Sequence, residues 1–590
     1  MKKLMEEITE AVKGAFEHCG YSAEYGLVTV SDRPDLCQFQ CSGALMAAKR
    51  YRKAPFAIAG EIADRLNDNP CFQEVACIMP GFINITLNDN YIVDYLNAML
   101  MSPKFGCEEI GRGKTVVVDY GGANLAKPLH VGHLRSAVIG ESMKRIGKYL
   151  GYHVLGDVHL GDWGLPIGLI ITELKRRKPG LVYFDPDYKG EYPSEAPFDI
   201  SELEEIYPAA SSYAKTNPAF MEEAKQATYQ FQNGRRGYHA LWRHILNISI
   251  QDLEKNYADL NVFFELWMKE SDVRPYIPEM IEAMKDNGLA YVSDGALVVD
   301  VMKEDDTKEI PPCILVKSDG STLYSTTDLA TIVQRMEQYD PNEIIYIVDK
   351  RQELYFEQVF RCARKANLVS PDTKLTFLGF GTMNGKDGKP FKTRDGGVMR
   401  LEHLIKQVSG RVYEKVSENK EISEEEAMEI SKKVGLAALK YSDLSNQITK
   451  DYIFELDRFT SFEGNTGPYI IYTAVRIKSI LNKFQEKYPR LDPGNISLHL
   501  PFSETERSMM LRMAQFNEVL ETSYLDDTPH RICRFIYELS NDLNRFYHDS
   551  KIIQEPDIAK QLSWIKLITL VRELLITCLD LLGIQVPDRM

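Results

Sequence analysis

The stretch TVVVDYGGANLAKPLHVGHLRSAVIGESMKRIGKYL, residues 115–150, decides the fold. It opens on Thr115-Val116-Val117-Val118-Asp119-Tyr120, an apolar, β-branched run with the composition of a buried strand. It closes on Leu134 to Leu150, where apolar residues recur at helical spacing. Between them lies a glycine-bearing turn, so the order is strand, turn, helix. His130-Val131-Gly132-His133 stands at the mouth of that helix. A helix N-terminus offers unpaired N–H groups and a positive dipole end, a place that suits a polyphosphate. Gly132 removes a side chain where a ligand would approach the backbone. The histidines can donate hydrogen bonds, and Lys127 adds a point charge. Taken alone, the pair also reads as two structural histidines or as part of a metal site. A metal needs a third ligand, and no acidic residue stands one helical turn on.

Working outward, strand-like runs recur at Thr115–Tyr120, His153–Val158, Glu343–Val348 and Lys374–Phe380, with helical patterns between them. That rhythm predicts an α/β, doubly wound parallel sheet of the Rossmann-like kind over 114–403. Residues from about 175 to 320 break the rhythm and read as an insertion: a Pro/Tyr/Asp-rich loop at 179–200, helical patterns at 201–286, and a β-like segment at Ala290–Val301. Residues 1–88 read as a small α+β domain, with helices near 3–17, 41–50 and 55–67 and strands at Glu74–Met79 and Phe82–Leu87. From 404 to 590 the pattern is wholly helical. In His530–Tyr547, for example, Ile532, Phe535, Ile536, Leu539, Leu543 and Phe546 keep three-four spacing, which predicts a helix bundle. A length of 590 residues suits about three to four domains.

Composition narrows the function. The formal net charge of −15 makes nonspecific nucleic-acid binding by bulk charge a poor reading, so any RNA contact rests on local patches and shape. The ten cysteines form no Cys-x-x-Cys pair, which argues against a zinc ribbon or disulfide framework and for reduced thiols. The first residues, MKKLMEEITEAVKGAF, form an amphipathic helix and not a signal peptide, and no apolar stretch is long enough for a membrane span. The expected location is cytoplasmic, with no membrane partner. Gly111-Arg112-Gly113-Lys114-Thr115 imitates a P-loop but fails it: position 108 is Glu, and Lys114-Thr115 opens a strand instead of a helix.

The run from Asp119 to Ser136, with Ala126-Lys127-Pro128-Leu129-His130-Val131-Gly132-His133 at its centre, resembles the "HIGH" region of class I aminoacyl-tRNA synthetases in its arginyl form. Further segments similar to that family follow in order. They are His159-Leu160-Gly161-Asp162-Trp163-Gly164, Tyr324-Ser325-Thr326-Thr327-Asp328-Leu329-Ala330 and Asp349-Lys350-Arg351-Gln352. Ser461-Phe462-Glu463-Gly464-Asn465-Thr466-Gly467-Pro468-Tyr469 and the ending Asp588-Arg589-Met590 complete the series. The second class I signature, Lys-Met-Ser-Lys-Ser, is missing. Its counterpart is Gly385-Lys386-Asp387-Gly388-Lys389-Pro390-Phe391-Lys392-Thr393-Arg394, with Lys392 as the favoured working lysine.

The resemblance implies an arginine–tRNA ligase: ATP activates L-arginine, and arginine passes to the 2′-OH of the terminal adenosine of tRNA(Arg), with activation dependent on tRNA. His130, His133, Lys127 and Lys392 are the expected catalytic groups, and Ala126, Gly132 and Lys389 join them around ATP and its Mg²⁺. No tightly bound metal or organic cofactor is expected. The planar, always charged guanidinium pairs best with a carboxylate. Asp328 lies four residues after Tyr324, so a helix turns both one way. By resemblance Asp119 and Asn124 hold the α-amino and carboxylate ends of arginine, and Gln352 closes the pocket. Tyr469, Tyr472, Tyr547 and Met590 match anticodon contacts, and Phe82 and Asn84 match contacts to the tRNA elbow. The family implies a monomer. Arginine's size and charge make selection without editing sufficient, so the insertion reads as structural or tRNA-contacting. The alternatives are a class I synthetase for another amino acid, another HIGH-type nucleotidyltransferase, and a non-catalytic RNA-binding paralogue.

Overall fold

Leu4, Ile8, Val12, Ala15 and Phe16 recur at helical spacing and are buried along one side of α1 (Leu4–His18), the first element of the chain. The computed structural model describes every residue except Pro34, Asn124, Lys127, Pro128, Asp319, 390–398 and 492–496. After α1 come β1 (Val28–Val30), β2 (Phe39–Cys41), α2 (Gly43–Tyr51), α3 (Pro55–Leu66), β3 (Phe72–Ile78), β4 (Phe82–Leu87) and α4 (Asp89–Met101). The strands form an antiparallel sheet in the order β1-β2-β4-β3. The expected helices and the pair β3–β4 are present. The strands β1 and β2 were not anticipated, because three residues are too few to display an alternation.

The sheet at the centre of the chain is built from β5 (Thr115–Asp119), β6 (His153–Asp157), β10 (Glu343–Asp349) and β11 (Lys374–Phe380), all parallel, in the order β11-β10-β5-β6. Helix α5 (Val131–Tyr149) connects β5 to β6. Between β6 and β10 run α6 (Leu165–Arg177), α7 (Ile200–Thr216), α8 (Pro218–Gln232), α9 (Arg236–Asp259) and α10 (Tyr276–Asp286). The antiparallel strands β7 (Ala290–Ser293), β8 (Ala296–Val299) and β9 (Cys313–Val316) and then α11 (Tyr324–Tyr339) complete that stretch. The expected β-like segment at 290–301 is thus a hairpin, turning at Asp294-Gly295 with both residues at positive φ, as a tight hairpin turn requires. Helix α12 (Glu353–Lys365) lies between β10 and β11. Beyond β11, β12 (Met383–Asn384) pairs in parallel with β13 (Tyr452–Ile453), and α13 (Leu401–Val416), α14 (Glu424–Leu444) and the short α15 (Leu456–Phe459) accompany them.

Helices α16 (Gly467–Lys487), α17 (Glu504–Met513), α18 (Phe516–Leu525), α19 (His530–Asp549) and α20 (Ile558–Leu581) form the expected bundle. The chain divides into two units: residues 1–110 with 461–580 and 585–590, and residues 111–460 with 581–584. A helical domain starting at 404 was expected. In the structure 404 falls inside α13, and α13 and α14 belong with the parallel sheet. The physical reason is a buried ion pair: Arg135 of α5 donates from Nε to Asp443 of α14 at 3.0 Å, and both side chains are almost wholly buried. Helical periodicity cannot reveal which neighbour a helix packs on. Within the first unit the two ends of the chain are joined. Lys3 meets Glu521 at 2.6 Å, Arg507 donates to Asp89 at 2.5 Å and to the Leu87 carbonyl at 2.7 Å, and Phe105 packs edge-on against Phe516.

Candidate active site

In an open parallel sheet, the crevice outside the carboxyl ends of the strands, where strand order reverses, is the place for a ligand. Here that reversal flanks β5, with β6 on one side and β10 on the other. Strands β5 and β6 end in register, Asp119 opposite Asp157. From α11, Arg335 inserts a fully buried guanidinium whose Nη2 donates to Asp119 Oδ2 and to Asp157 Oδ2, each at 2.6 Å. Asp157 Oδ1 accepts the backbone N–H groups of His159 and Met268 at 3.2 Å. Burial opposes ionisation of Asp157, but the His159 imidazole and the Arg335 guanidinium outweigh it and hold the carboxyl well below the usual range. Burial works against a charged His159 too, yet Asp157 and Asp119 push its pKa upward.

His130 is the N-cap of α5. Its Nδ1 accepts from the Gly132 N–H at 3.0 Å, and His133 Nδ1 accepts from the His130 N–H at 3.1 Å, a reciprocal capping box. Because each Nδ1 is an acceptor, the proton of each neutral ring sits on Nε2, so both rings are arranged to donate from that atom. The rings lie against each other with centroids 3.9 Å apart. A Cβ on residue 132 would meet the His130 ring at 2.8 Å, so the cap in this geometry has room only for glycine there. Ala126 takes positive φ, and its N–H is engaged by Ser249 Oγ at 3.1 Å. Ser136 ties the turn to the sheet, accepting from the Gly121 N–H at 2.9 Å and donating to the Ile347 carbonyl at 2.8 Å.

Tyr324 and Asp328 both lie in the first turns of α11. Tyr324 is 70% exposed, placing it at the rim, whereas Asp328 is half-buried and accepts a hydrogen bond from the Tyr355 hydroxyl of α12. Burial raises the Asp328 pKa, and the Tyr355 bond partly offsets it. Glu270 senses the charges of His159, Asp162 and Asp328, and burial pushes its carboxyl up to about 7. Gln352 is exposed in the 3₁₀ turn that follows β10. Asn124, Lys127 and Lys392 lie outside the described residues. Lys389 is exposed, in a turn where the Gly385 N–H donates to its carbonyl at 2.8 Å. The two ends of the segment around Lys392 are anchored. Upstream, Met383–Asn384 pairs with Tyr452–Ile453; downstream, the Val131 N–H donates to the Met399 carbonyl at 3.0 Å and the Leu401 N–H to the Leu129 carbonyl at 2.9 Å. The downstream end therefore abuts the histidine cap.

In the other unit, Tyr469, Tyr472 and Tyr547 line one cavity of about 430 Å³ together with Phe462, Arg476 and Asn544. The Tyr469 hydroxyl donates to Asn541 and accepts from Asn544, each at 2.7 Å, and the Arg476 guanidinium lies 4.1 Å from the Tyr547 ring centroid. Met590 is not among the lining residues, though Lys478 holds nearby Asp588 at 2.5 Å. Phe82 opposes Ile78 at the end of the β3–β4 pair, and Asn84 is buried in that sheet, accepting from Gln40 at 2.8 Å.

Comparison with known proteins places this architecture. Residues 95–456 match the family model described as tRNA synthetases class I (R), catalytic domain. Residues 470–590 match the DALR anticodon binding domain, and 2–87 the arginyl tRNA synthetase N terminal domain. The arginine–tRNA ligase of Alkaliphilus oremlandii is 58% identical over 591 residues, covering 100% of both chains. The chain belongs to the class I arginyl-tRNA synthetases. The arginine–tRNA ligase of Agathobacter rectalis is 55% identical, again over 100% of both chains. Among solved structures, the arginyl-tRNA synthetase of Plasmodium falciparum superposes with a TM-score of 0.82 at 25% identity, and that of Thermus thermophilus with 0.79 at 21%, each covering 100% of both chains; the second speaks for the fold alone.

Three side chains of this synthetase crevice escape a reading of the sequence. Glu270 sits where helical patterns were expected through 286. Residues 266–270 instead run beside 157–160, with the Leu160 N–H donating to Met268 at 2.7 Å and the Glu270 N–H to Leu160 at 3.0 Å. Tyr355 and Arg335 lie within helices whose sequences give no sign of what they face. The available signal for Arg335 is its place seven residues after Asp328, two turns along the same helical face.

Proposed function

We propose that this arginyl-tRNA synthetase binds ATP with its phosphates at the N-terminus of α5 and arginine in the acidic crevice beside it. What carries the reading is that the histidine-capped mouth of α5 follows the strand that ends at Asp119, and that Asp328 lies close enough to Asp119 and to Glu270 for their charges to interact. Arginine brings two cationic groups, and this crevice has an excess of carboxylates to meet them. Asp328, fixed by Tyr355, pairs with the guanidinium, with Glu270 near it and Tyr324 at the rim. Asp119 and Asn124 hold the α-amino and carboxylate ends, and Gln352 closes the pocket. The carboxylate attacks the α-phosphorus of ATP and pyrophosphate leaves. Catalysis here consists of positioning and charge stabilisation. The Nε2–H groups of His130 and His133 meet the phosphate oxygens, Gly132 admits them to the backbone, and Lys127, Lys389 and Lys392 neutralise the departing pyrophosphate, to which Mg²⁺ brought in with ATP would add its charge.

In the second step the 2′-OH of the terminal adenosine of tRNA(Arg) attacks the carbonyl carbon of the arginyl-adenylate, and AMP leaves. Tyr469, Tyr472 and Tyr547 offer faces for unstacked anticodon bases, with Met590 beside them, and Phe82 and Asn84 are the elbow contacts. The reading includes dependence of activation on tRNA, a monomeric enzyme and a cytoplasmic location. Among the described residues no helix is long and apolar enough to cross a membrane. The test is ATP–pyrophosphate exchange with each amino acid, with and without tRNA. Exchange is expected with arginine only, and only when tRNA is present; exchange with a different amino acid, or none at all, sinks the proposal.

A further inference from the structure

The Arg335 clamp does more than bury a charge. Asp119 and Asp157 occupy matched positions at the ends of neighbouring strands, and two such carboxylates repel unless a cation lies between them. One guanidinium nitrogen touches both. The two acids are not equivalent. Asp157 is fully buried and satisfied, with two backbone N–H groups on Oδ1 and with Arg335 on Oδ2, where the His159 ring lies 3.6 Å away. Asp119 keeps 15% of its side chain exposed, and Arg335 takes only its Oδ2. The Arg335 charge is shared between the two acids and Asp157 has the His159 ring as a further partner, so the carboxylate left with capacity for another cation is Asp119, the one that keeps some exposure.

We propose that Arg335 is a positioning residue for the substrate: it turns Asp119 so that the remaining carboxylate oxygen receives the α-ammonium of arginine. This rests on the proposed role of Asp119. It also gives α11 the character of a ruler. Asp328 and Arg335 are separated by seven residues on one face, about 10 Å along the axis. One helix therefore fixes the guanidinium end of the ligand directly and the α-amino end through Asp119.

The test uses the full-length enzyme with tRNA and compares inhibition constants in aminoacylation for two ligands, agmatine (arginine without the carboxylate) and 5-guanidinopentanoate (arginine without the α-amino group), against the KM of arginine. In the parent enzyme removal of the α-amino group weakens binding by about tenfold or more, the scale of a charge-assisted hydrogen bond. In Arg335→Gln that preference for an α-amino group collapses toward unity: arginine and agmatine weaken, while 5-guanidinopentanoate and ATP stay within about twofold. Arg335→Lys, which keeps the charge on a shorter stem, recovers part of it. A merely structural role would lower the melting temperature and the active fraction without separating the ligands. If the parent shows no preference, or Asp119→Asn retains it, the role given to Asp119 is wrong. If Asp119→Asn abolishes the preference and folded Arg335→Gln keeps it, the positioning role alone is overturned. Should Arg335→Gln fail to fold, an undiminished preference in Arg335→Lys overturns it equally.

Discussion

Asp328 has little freedom. It is half-buried at the start of α11, with the Tyr355 hydroxyl on one oxygen, and burial has raised its pKa. A carboxylate in that state gains most from a cationic ligand. Asp328→Asn is expected to lower kcat/KM for arginine by about 2–4 kcal/mol, the range for breaking a buried charge pair, with KM for ATP little changed; steady-state kinetics with each substrate varied decides it. Glu270 adds a pH dependence. Its carboxyl, held at about 7, loses its charge as pH falls, and with it the attraction for a guanidinium. Low pH also favours the charged His159 and the neutral Asp328, both of which act in the same direction. The kcat/KM for arginine is therefore expected to climb as pH rises from about 6 to about 8, and Glu270→Gln to flatten that limb. A pH profile unchanged by Glu270→Gln assigns the limb elsewhere. At this scale the sequence is legible where side chains act on their own segment: the two histidines cap each other within four residues. It is mute where partners are remote. Arg335 meets Asp119 across 216 positions, and nothing local shows that the two are partners.

The elements tell a similar story. Runs of Val and Ile at 115–118 and 343–348 announce buried strands, and the parallel sheet follows from them. The helical pattern over 201–286 was too generous, because residues 266–270 are drawn into pairing with the chain beyond β6, a tertiary demand that overrides periodicity. The helices α13 and α14 were legible as helices, but not their allegiance, which Arg135 and Asp443 decide. At the N-terminus of α5, Gly132→Ala pushes a methyl into the His130 ring, so the cap must open or shift. The expected result is a loss of stability of about 1 kcal/mol from the disturbed cap, seen in thermal melting. With it should come a fall in kcat for pyrophosphate exchange while KM for arginine holds. An unchanged kcat would separate the cap from the chemistry.

At the scale of the whole molecule, the aromatic cavity of α16 and α19 and the crevice beside α5 lie in different units. Tyr469→Ala is expected to raise KM for tRNA by about 1–3 kcal/mol, the contribution of one stacked base, and to leave KM for ATP alone; equal effects on both would remove Tyr469 from RNA recognition. The unit that joins both ends of the chain yields a second expectation. After cleavage at an engineered protease site between residues 110 and 111, the N-terminal fragment should co-elute with the remainder on size exclusion, held by contacts such as Asp89–Arg507 and Phe105–Phe516. Separate elution would mean those contacts are too weak to hold the unit. The same topology sets a timetable for biosynthesis. Residues 1–110 leave the ribosome before residues 111–460, and their packing partner begins only at residue 461. At ordinary elongation rates the intervening 111–460 takes roughly 20–70 s to make. Throughout that interval Phe105, Asp89 and the Leu87 carbonyl lack Phe516 and Arg507, and a ribosome stalled inside the catalytic segment would leave the module without those partners.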